Sequence, residues 1–249
     1  MSLPESFLTK PFAHRGLHDV ADGRPENSSE AAEAAIAKGY GIELDVQLSA
    51  DGQAMVFHDY DLDRLTLETG PVRGRTAAAL SAIPLSGGQT PMPTLPEFLK
   101  LVDGRVPLLL EIKDQDGALG SDVGPLEAAV AAALDGYGGE VAVMSFNPHS
   151  MAVMQRIAGD VLRGLVTESF PSGDWPVPAP TLERLRGIPD YDHVGACFIS
   201  HEAADLERPR VSALKETGAS VLCWTIRSKA EEEQARRIAH NVTFEGYLA

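Results

Sequence analysis

Carboxylates and an imidazole concentrate in one stretch, Gly41 to Asp59, where Glu43, Asp45 and His58 stand among apolar neighbours. Asp51-Gly52 is the kind of pair a two-residue hairpin turn takes, because both central positions need positive φ. A turn there pairs Ala50 with Gln53 and sets Asp45 opposite His58. Side chains alternate faces along a strand and paired residues share a face, so this register projects Glu43, Asp45 and His58 together. It puts Leu44, Val46, Leu48, Met55 and Phe57 on the opposite face. Two acids at alternate positions of an exposed strand would mean only a solvated face. Here Ile42, Leu44, Val46 and Val56-Phe57 read as a strand buried on both sides, where charge is costly unless paired or metal-bound. That burial argues for a functional cluster.

The same spacing recurs downstream. Glu111 and Lys113 follow Leu108-Leu109-Leu110 and point to one face at the end of a buried run. Glu43, Asp45 and Glu111, three carboxylates from two strands, form a hard all-oxygen set suited to Mg²⁺ or Ca²⁺. Arg15 and Lys113 add local positive charge, and the Arg fork fits phosphate.

Residues so far apart in the chain need a scaffold that brings them together. A short strand ends at His14-Arg15-Gly16, and a helix from Glu30 to Lys38 follows, closed by Gly39. The hairpin comes next. Residues 60–93 then carry Gly70-Pro71, Gly87-Gly88 and Pro91-Met92-Pro93, and read as an inserted subregion of a single domain spanning 1–249. Thr94 caps a helix through Val102. Further strand-like runs are Val106–Lys113, Val141–Phe146, Leu162–Thr167, Val194–Ser200, Ser220–Ile226 and Val242–Glu245. Helical runs fall between most of them, at Pro125–Leu134, Pro148–Ala158, Arg208–Thr217 and Lys229–Ala239. Strand and helix in alternation mean a parallel sheet. The run ending at His58 follows its neighbour too closely for a parallel crossover, so it is the antiparallel arm of the hairpin. Eight parallel strands remain, the closing number of a (β/α)8 barrel, whose active site lies at the C-terminal strand ends. Those ends carry His14-Arg15, Glu43 with Asp45, Glu111 with Lys113, Ser145-Phe146-Asn147, Thr167-Glu168, Trp224-Thr225 and Glu245.

Composition narrows the partners. A net charge of −15 over 249 residues argues against nucleic acid or an anionic membrane surface. Cys197 and Cys223 lie in apolar runs and read as buried thiols, not a disulfide framework. With no apolar leader and no stretch near the ~20 residues of a membrane span, a cytoplasmic protein is expected.

Phe12-Ala13-His14-Arg15-Gly16, Glu26-Asn27-Ser28, Glu43-Leu44-Asp45-Val46, Phe57-His58-Asp59, Leu110-Glu111-Ile112-Lys113 and Cys223-Trp224-Thr225 together resemble the glycerophosphodiester phosphodiesterase family. The resemblance implies a distorted TIM barrel of the α/β class that hydrolyses a small soluble glycerophosphodiester to an alcohol and glycerol 3-phosphate with a divalent cation, in lipid or glycerol metabolism. On the matching positions Glu43, Asp45 and Glu111 would hold the metal, with His14 and His58 as the acid/base pair. Arg15 and Lys113 would hold phosphate, and Trp224 would contact substrate or be plain core. The chain departs from the family pattern at Ile226-Arg227 and at Phe244-Glu245-Gly246, on the side expected for glycerol or the leaving group.

Blander readings apply elsewhere. His18, His149, His193, His201 and His240 are placed in loops or helix ends, and Glu26 and Asn27 brace the loop before the first barrel helix. The Pro-rich segment Phe170–Pro180 is either a lid over the mouth or a stiff connection. Three rival functions stand beside the hydrolase: a Schiff-base lyase using Lys113, a non-catalytic phosphate or polyol binder, and a lipid-diester hydrolase. The first leaves three carboxylates and two histidines unexplained; the second has no use for an acid/base pair. No amphipathic Lys/Arg-rich helix supports the third.

Overall fold

The computed structural model describes residues 1–249 apart from Ser172 and Asp174. Its strands are β1 (Phe12–Ala13), β2 (Gly41–Leu48), β3 (Ala54–Val56), β4 (Leu108–Ile112), β5 (Val141–Ser145), β6 (Leu162–Thr167), β7 (Phe198–Glu202), β8 (Ser220–Ile226) and β9 (Asn241–Phe244). They run in the order β1-β9-β8-β7-β6-β5-β4-β2-β3, and β1 also pairs with β2. The ring of eight is therefore closed and parallel throughout, with β3 antiparallel outside it. This is the distorted (β/α)8 barrel with an extra hairpin strand. Its helices are α1 (Glu5–Thr9), α2 (Ser29–Lys38), α3 (Ala77–Leu80), α4 (Leu95–Val102), α5 (Pro125–Leu134), α6 (Pro148–Ile157), α7 (Ala179–Arg186), α8 (Pro209–Glu216) and α9 (Lys229–Ala235).

Local chemistry starts the barrel helices where they are needed. Ser28 Oγ caps α2, Thr94 and Glu97 make a reciprocal capping box on α4, and Asn147 caps α6. Proline opens α5, α6 and α8, where its missing N–H costs nothing. Along the strands the period of two sorts residues between two cores. Ile42, Leu44, Val46, Leu108, Leu110 and Ile112 face the helices. Leu109, Ala142, Phe198 and Leu222 fill the barrel interior, closed at the N-terminal end by Phe7 and Phe12. The interior face continues upward as Glu43, Asp45 and Glu111, so alternation delivers charge to the mouth.

The hairpin register differs from the expected one by a residue. Val46 pairs with Val56, Gln47 with Met55 and Leu48 with Ala54. Ser49 N–H donates to Gln53 O, and the loop is three residues, Ala50-Asp51-Gly52, with Gly52 at φ +77°. Ser49 Oγ accepts from Gln53 N–H and donates to Asp51 Oδ1, which favours the longer loop over the two-residue turn. The slip flips the outer strand. Phe57, not His58, lies beside Asp45, donating its N–H to Asp45 O. Met55 and Phe57 leave the helix-facing core, Ala54 and Val56 take their place there, and Met55 and Phe57 pack with Leu62, Val72, Leu80 and Met92 of the 60–93 segment. His58 enters the site from the bend past β3.

One other expectation moves, and two helices carry no sequence signal. β7 begins at Phe198, so His201 is inside a strand and fully buried, with Nδ1 on Thr167 Oγ1. α7 went unread because only Leu182 and Leu185 of it are buried, too few to give a helical apolar period. α1 is likewise short and anchored by Phe7 alone. Cys197 and Cys223 are free and buried. Among the described residues no helix is long and apolar enough to cross a membrane.

Gly16 closes the β1 turn at φ +79°, and a Cβ there would lie 2.8 Å from Ala31 Cβ and 2.9 Å from Ala31 C. Neither neighbour can swing away, since both belong to α2. Gly16→Ala should therefore cost about 1–3 kcal/mol in stability, read as a lower urea midpoint at unchanged m. An unchanged midpoint would show that the turn relaxes freely.

Candidate active site

At the C-terminal end of the barrel a cavity of ≈180 Å³ is lined by all of His14, Arg15, Glu43, Asp45, His58, Glu111, Lys113 and Trp224. Asp45 and Glu111 are lateral neighbours in the β2–β4 register, and Glu43 lies one inward step below. Oxygens of Glu43, Asp45 and Glu111 lie within 4.8 Å of one another, and the residues are only 2%, 1% and 7% exposed. Asn27 braces the set: its Nδ2 donates to Asp45 Oδ2 while Asp45 N–H donates to Asn27 Oδ1. Arg15, at φ +54°, turns its backbone N–H onto Glu43 Oε2.

Three carboxylates meet two cations. Lys113 Nζ lies 2.8 Å from Asp45 Oδ1 and 2.7 Å from Glu111 Oε1. Arg15 Nη1 donates to Glu26, and its buried Nε, 3.5 Å from Asp45, has no hydrogen-bond partner among the described residues. Burial opposes the Asp45 charge, yet Lys113, His58 and Arg15 hold its carboxyl far below the usual range. Glu43 is left over: burial, then repulsion from Asp45 and Glu111, pushes its carboxyl well above the ordinary range. That surplus of buried negative charge is what an oxygen-ligated divalent cation would neutralise, so the residues fit Mg²⁺ or Ca²⁺. Burial opposes the Lys113 charge too, but Asp45 and Glu111 raise its pKa above the ordinary lysine value. A Schiff-base lysine must be neutral to attack, and this one is held as ammonium.

A pH prediction follows from Glu43. The metal-free enzyme holds a proton on Glu43 more tightly than an ordinary carboxyl does, and a cation must compete with it, so cation affinity should fall as pH drops into that raised range and binding there should release protons. Calorimetry in buffers of different ionisation enthalpy checks this; equal apparent enthalpies in all buffers would remove the protonated Glu43.

Each imidazole is backed by a carboxylate that is itself held by arginine. His14 Nδ1 meets Glu245 Oε2 at 2.5 Å, and Arg227 Nη2 holds Glu245 Oε1 at 2.8 Å. His14 Nε2 faces Glu43 at 3.9 Å. His58 Nδ1 meets Asp59 Oδ1 at 2.6 Å, and Arg64 clamps both Asp59 and Glu26. Burial lowers the His14 pKa even against the hydrogen bond to Glu245. The Glu245 carboxyl in turn is held far below its usual range, first by His14. Trp224 walls the cavity, its Nε1 donating to Ser200 O and its ring edge-on to Phe146 at 5.6 Å. Trp175 packs at a tilt against Phe146, which lines the cavity, and against the buried Phe170, so these aromatics of the Pro-rich segment lie beside the mouth; Ser172 and Asp174 of that segment lie outside the described residues.

The sequence places Glu245 at a strand end and Arg227 after Trp224-Thr225 without assigning either a part, and nothing in it assigns Asp59 or Arg64 one. The signals were present: Glu245 ends a barrel strand, and Asp59 adjoins His58. His18 lies 3.6 Å from Glu245 without lining the cavity; His149, His193 and His240 do not line it either.

A closed (β/α)8 barrel with a buried carboxylate cluster, histidines and cations at its mouth is the architecture of a TIM-barrel enzyme with a candidate metal site. Residues 14–243 match the model of the glycerophosphoryl diester phosphodiesterase family, and the chain belongs to that family of phosphodiesterases. It is 28% identical over 237 residues to a glycerophosphodiester phosphodiesterase of Caldanaerobacter subterraneus, covering 91% of this chain and 89% of the relative. A Bacillus altitudinis glycerophosphodiester phosphodiesterase is 39% identical over 113 residues, 43% of this chain and 45% of that protein. The fold superposes on an Oleispira antarctica phosphodiesterase in complex with its product sn-glycerol-3-phosphate, with a TM-score of 0.78, 24% identity and coverage of 97% and 94%.

Proposed function

We propose that this protein hydrolyses small glycerophosphodiesters to an alcohol and glycerol 3-phosphate, with a divalent cation and with His14 and His58 as the base and acid. The observation that carries the reading is the convergence, in one small cavity, of two carboxylate-backed imidazoles on a buried set of three carboxylates. When bound by Glu43, Asp45 and Glu111, the cation would neutralise charge on the phosphoryl group. Arg15 Nε and Lys113 add donors for the anionic diester. His14, kept neutral by burial, takes a proton from the attacking hydroxyl through Nε2, while its Nδ1 stays on Glu245. His58, supported by Asp59, donates a proton to the departing alkoxide. A cleft of ≈770 Å³ shares Trp224, Thr225 and Arg227 with the catalytic cavity, and we assign it to the leaving alcohol.

Incubation with sn-glycero-3-phosphocholine should yield glycerol 3-phosphate and choline. Phosphocholine and glycerol as products would reverse the assigned arms, and no hydrolysis of any glycerol diester would end the reading.

Glu245 gives a pH test of the base. A base must be neutral, so kcat/KM should rise with pH through the His14 pKa, which lies below the ordinary imidazole value of 6.5. The Glu245 hydrogen bond raises that pKa. Glu245→Gln should therefore move the acidic limb to still lower pH while kcat falls on the order of 10²- to 10⁴-fold, because tautomer and orientation are lost. A limb that stays in place would assign the ionisation to another group.

A further inference from the structure

Beside the catalytic cavity lies a second ligand set of different chemistry. Nitrogens of His14 and His18 and an oxygen of Glu245 all fall within 4.8 Å of one another. Glu245 Oε2 is 2.5 Å from His14 Nδ1 and 3.6 Å from His18 Nε2. That His18 nitrogen is shut from solvent and has no hydrogen-bond partner among the described residues. Arg227 engages the other oxygen, Oε1, so Oε2 can serve as a ligand while its carboxylate stays anchored. All three residues are only half-buried, so the cluster lies near the surface although the His18 nitrogen itself is covered.

We propose that His14, His18 and Glu245 form an inhibitory site for Zn²⁺ or a similar nitrogen-seeking transition metal. Two imidazoles and one carboxylate are a three-ligand set that zinc takes, with water in the fourth position. Mg²⁺ and Ca²⁺ prefer all-oxygen sets, so the two clusters select different cations. Binding expels the proton shared by His14 Nδ1 and Glu245 and opens their 2.5 Å contact. The inhibition rests on the proposed role of His14, which the metal would take out of proton transfer together with its carboxylate. The binding does not depend on that role.

The test uses the enzyme with saturating Mg²⁺ and glycerophosphocholine, titrated with Zn²⁺. Wild type should lose activity, and a zinc-selective nitrogen chelator should restore it without removing Mg²⁺. His18→Ala and His18→Gln should keep the Mg²⁺-supported kcat and shift half-inhibition upward by at least about tenfold, as loss of a ligand costs no less than loss of an outer-sphere partner. Co²⁺ provides a readout apart from activity: a low-coordinate nitrogen-ligated site gives intense visible bands, and a six-coordinate oxygen site gives weak ones. The intense bands should persist in Glu111→Gln and vanish in both His18 variants. Equal Zn²⁺ inhibition of wild type and both His18 variants, or intense Co²⁺ bands that survive them, would overturn the site. Intense His18-dependent bands without Zn²⁺ inhibition would leave the site standing, overturn its inhibitory part and count against His14 as the base.

Discussion

His14→Ala and His58→Ala should each lower kcat on glycerophosphocholine by on the order of 10²–10⁴, and the double variant should fall well short of the product of the two losses. Both side chains line the one cavity and each stands on its own carboxylate, so in the proposed mechanism each would hold or move a single proton in one concerted arrangement. Removing either stops the relay, and little remains for the second removal to cost. The roles can be separated by leaving group. An activated nitrophenyl diester departs without protonation, so it should rescue His58→Ala, the acid variant, and leave His14→Ala slow. Rescue of His14→Ala instead would exchange the roles. Near-normal kcat in both single variants on a glycerol diester would falsify the pair.

The second large effect concerns Lys113 and Glu111. They point to one face two residues apart, but the structure makes them partners: Lys113 is the ammonium between Asp45 and Glu111. Lys113→Met leaves two buried carboxylates without that counter-ion, and breaking a buried pair costs about 3–5 kcal/mol. The metal-free variant should therefore melt well below wild type, and added Mg²⁺ should recover more stability in it than in wild type. At saturating metal its turnover should remain low, because the donor proposed for the diester is gone. Glu111→Gln should behave the other way. It should weaken cation affinity at least about tenfold, with turnover largely restored when metal is raised. Thermal unfolding and activity, each titrated with metal, distinguish the two; parallel curves for both variants would mean that Lys113 and Glu111 serve one function.

The barrel was legible because its signals are local. Leu108-Leu109-Leu110 before Glu111 marks a buried strand, and Pro125, Pro148 and Thr94 mark helix starts by their own chemistry. The candidate site was legible for the same reason, since i, i+2 spacing places Glu43 with Asp45 whatever the rest of the chain does. Register was not. Whether Asp51-Gly52 is a two-residue turn or the end of a three-residue loop depends on Ser49, whose hydroxyl engages both Gln53 and Asp51, and one residue decides the faces of Met55 and Phe57. The support of the histidines was also hidden. Glu245 lies 231 positions from His14, and only closure of β9 against β1 brings them together. Arg64 links Asp59 to Glu26 from inside the 60–93 segment, whose packing no periodicity announces.

The central claim, that a cation held by Glu43, Asp45 and Glu111 supports diester hydrolysis, is tested most directly by chelation. Enzyme stripped exhaustively, with metal content checked by elemental analysis, should release no glycerol 3-phosphate from glycerophosphocholine, and activity should return on adding Mg²⁺ or Ca²⁺. Full turnover by protein shown to be free of divalent metal would contradict the account.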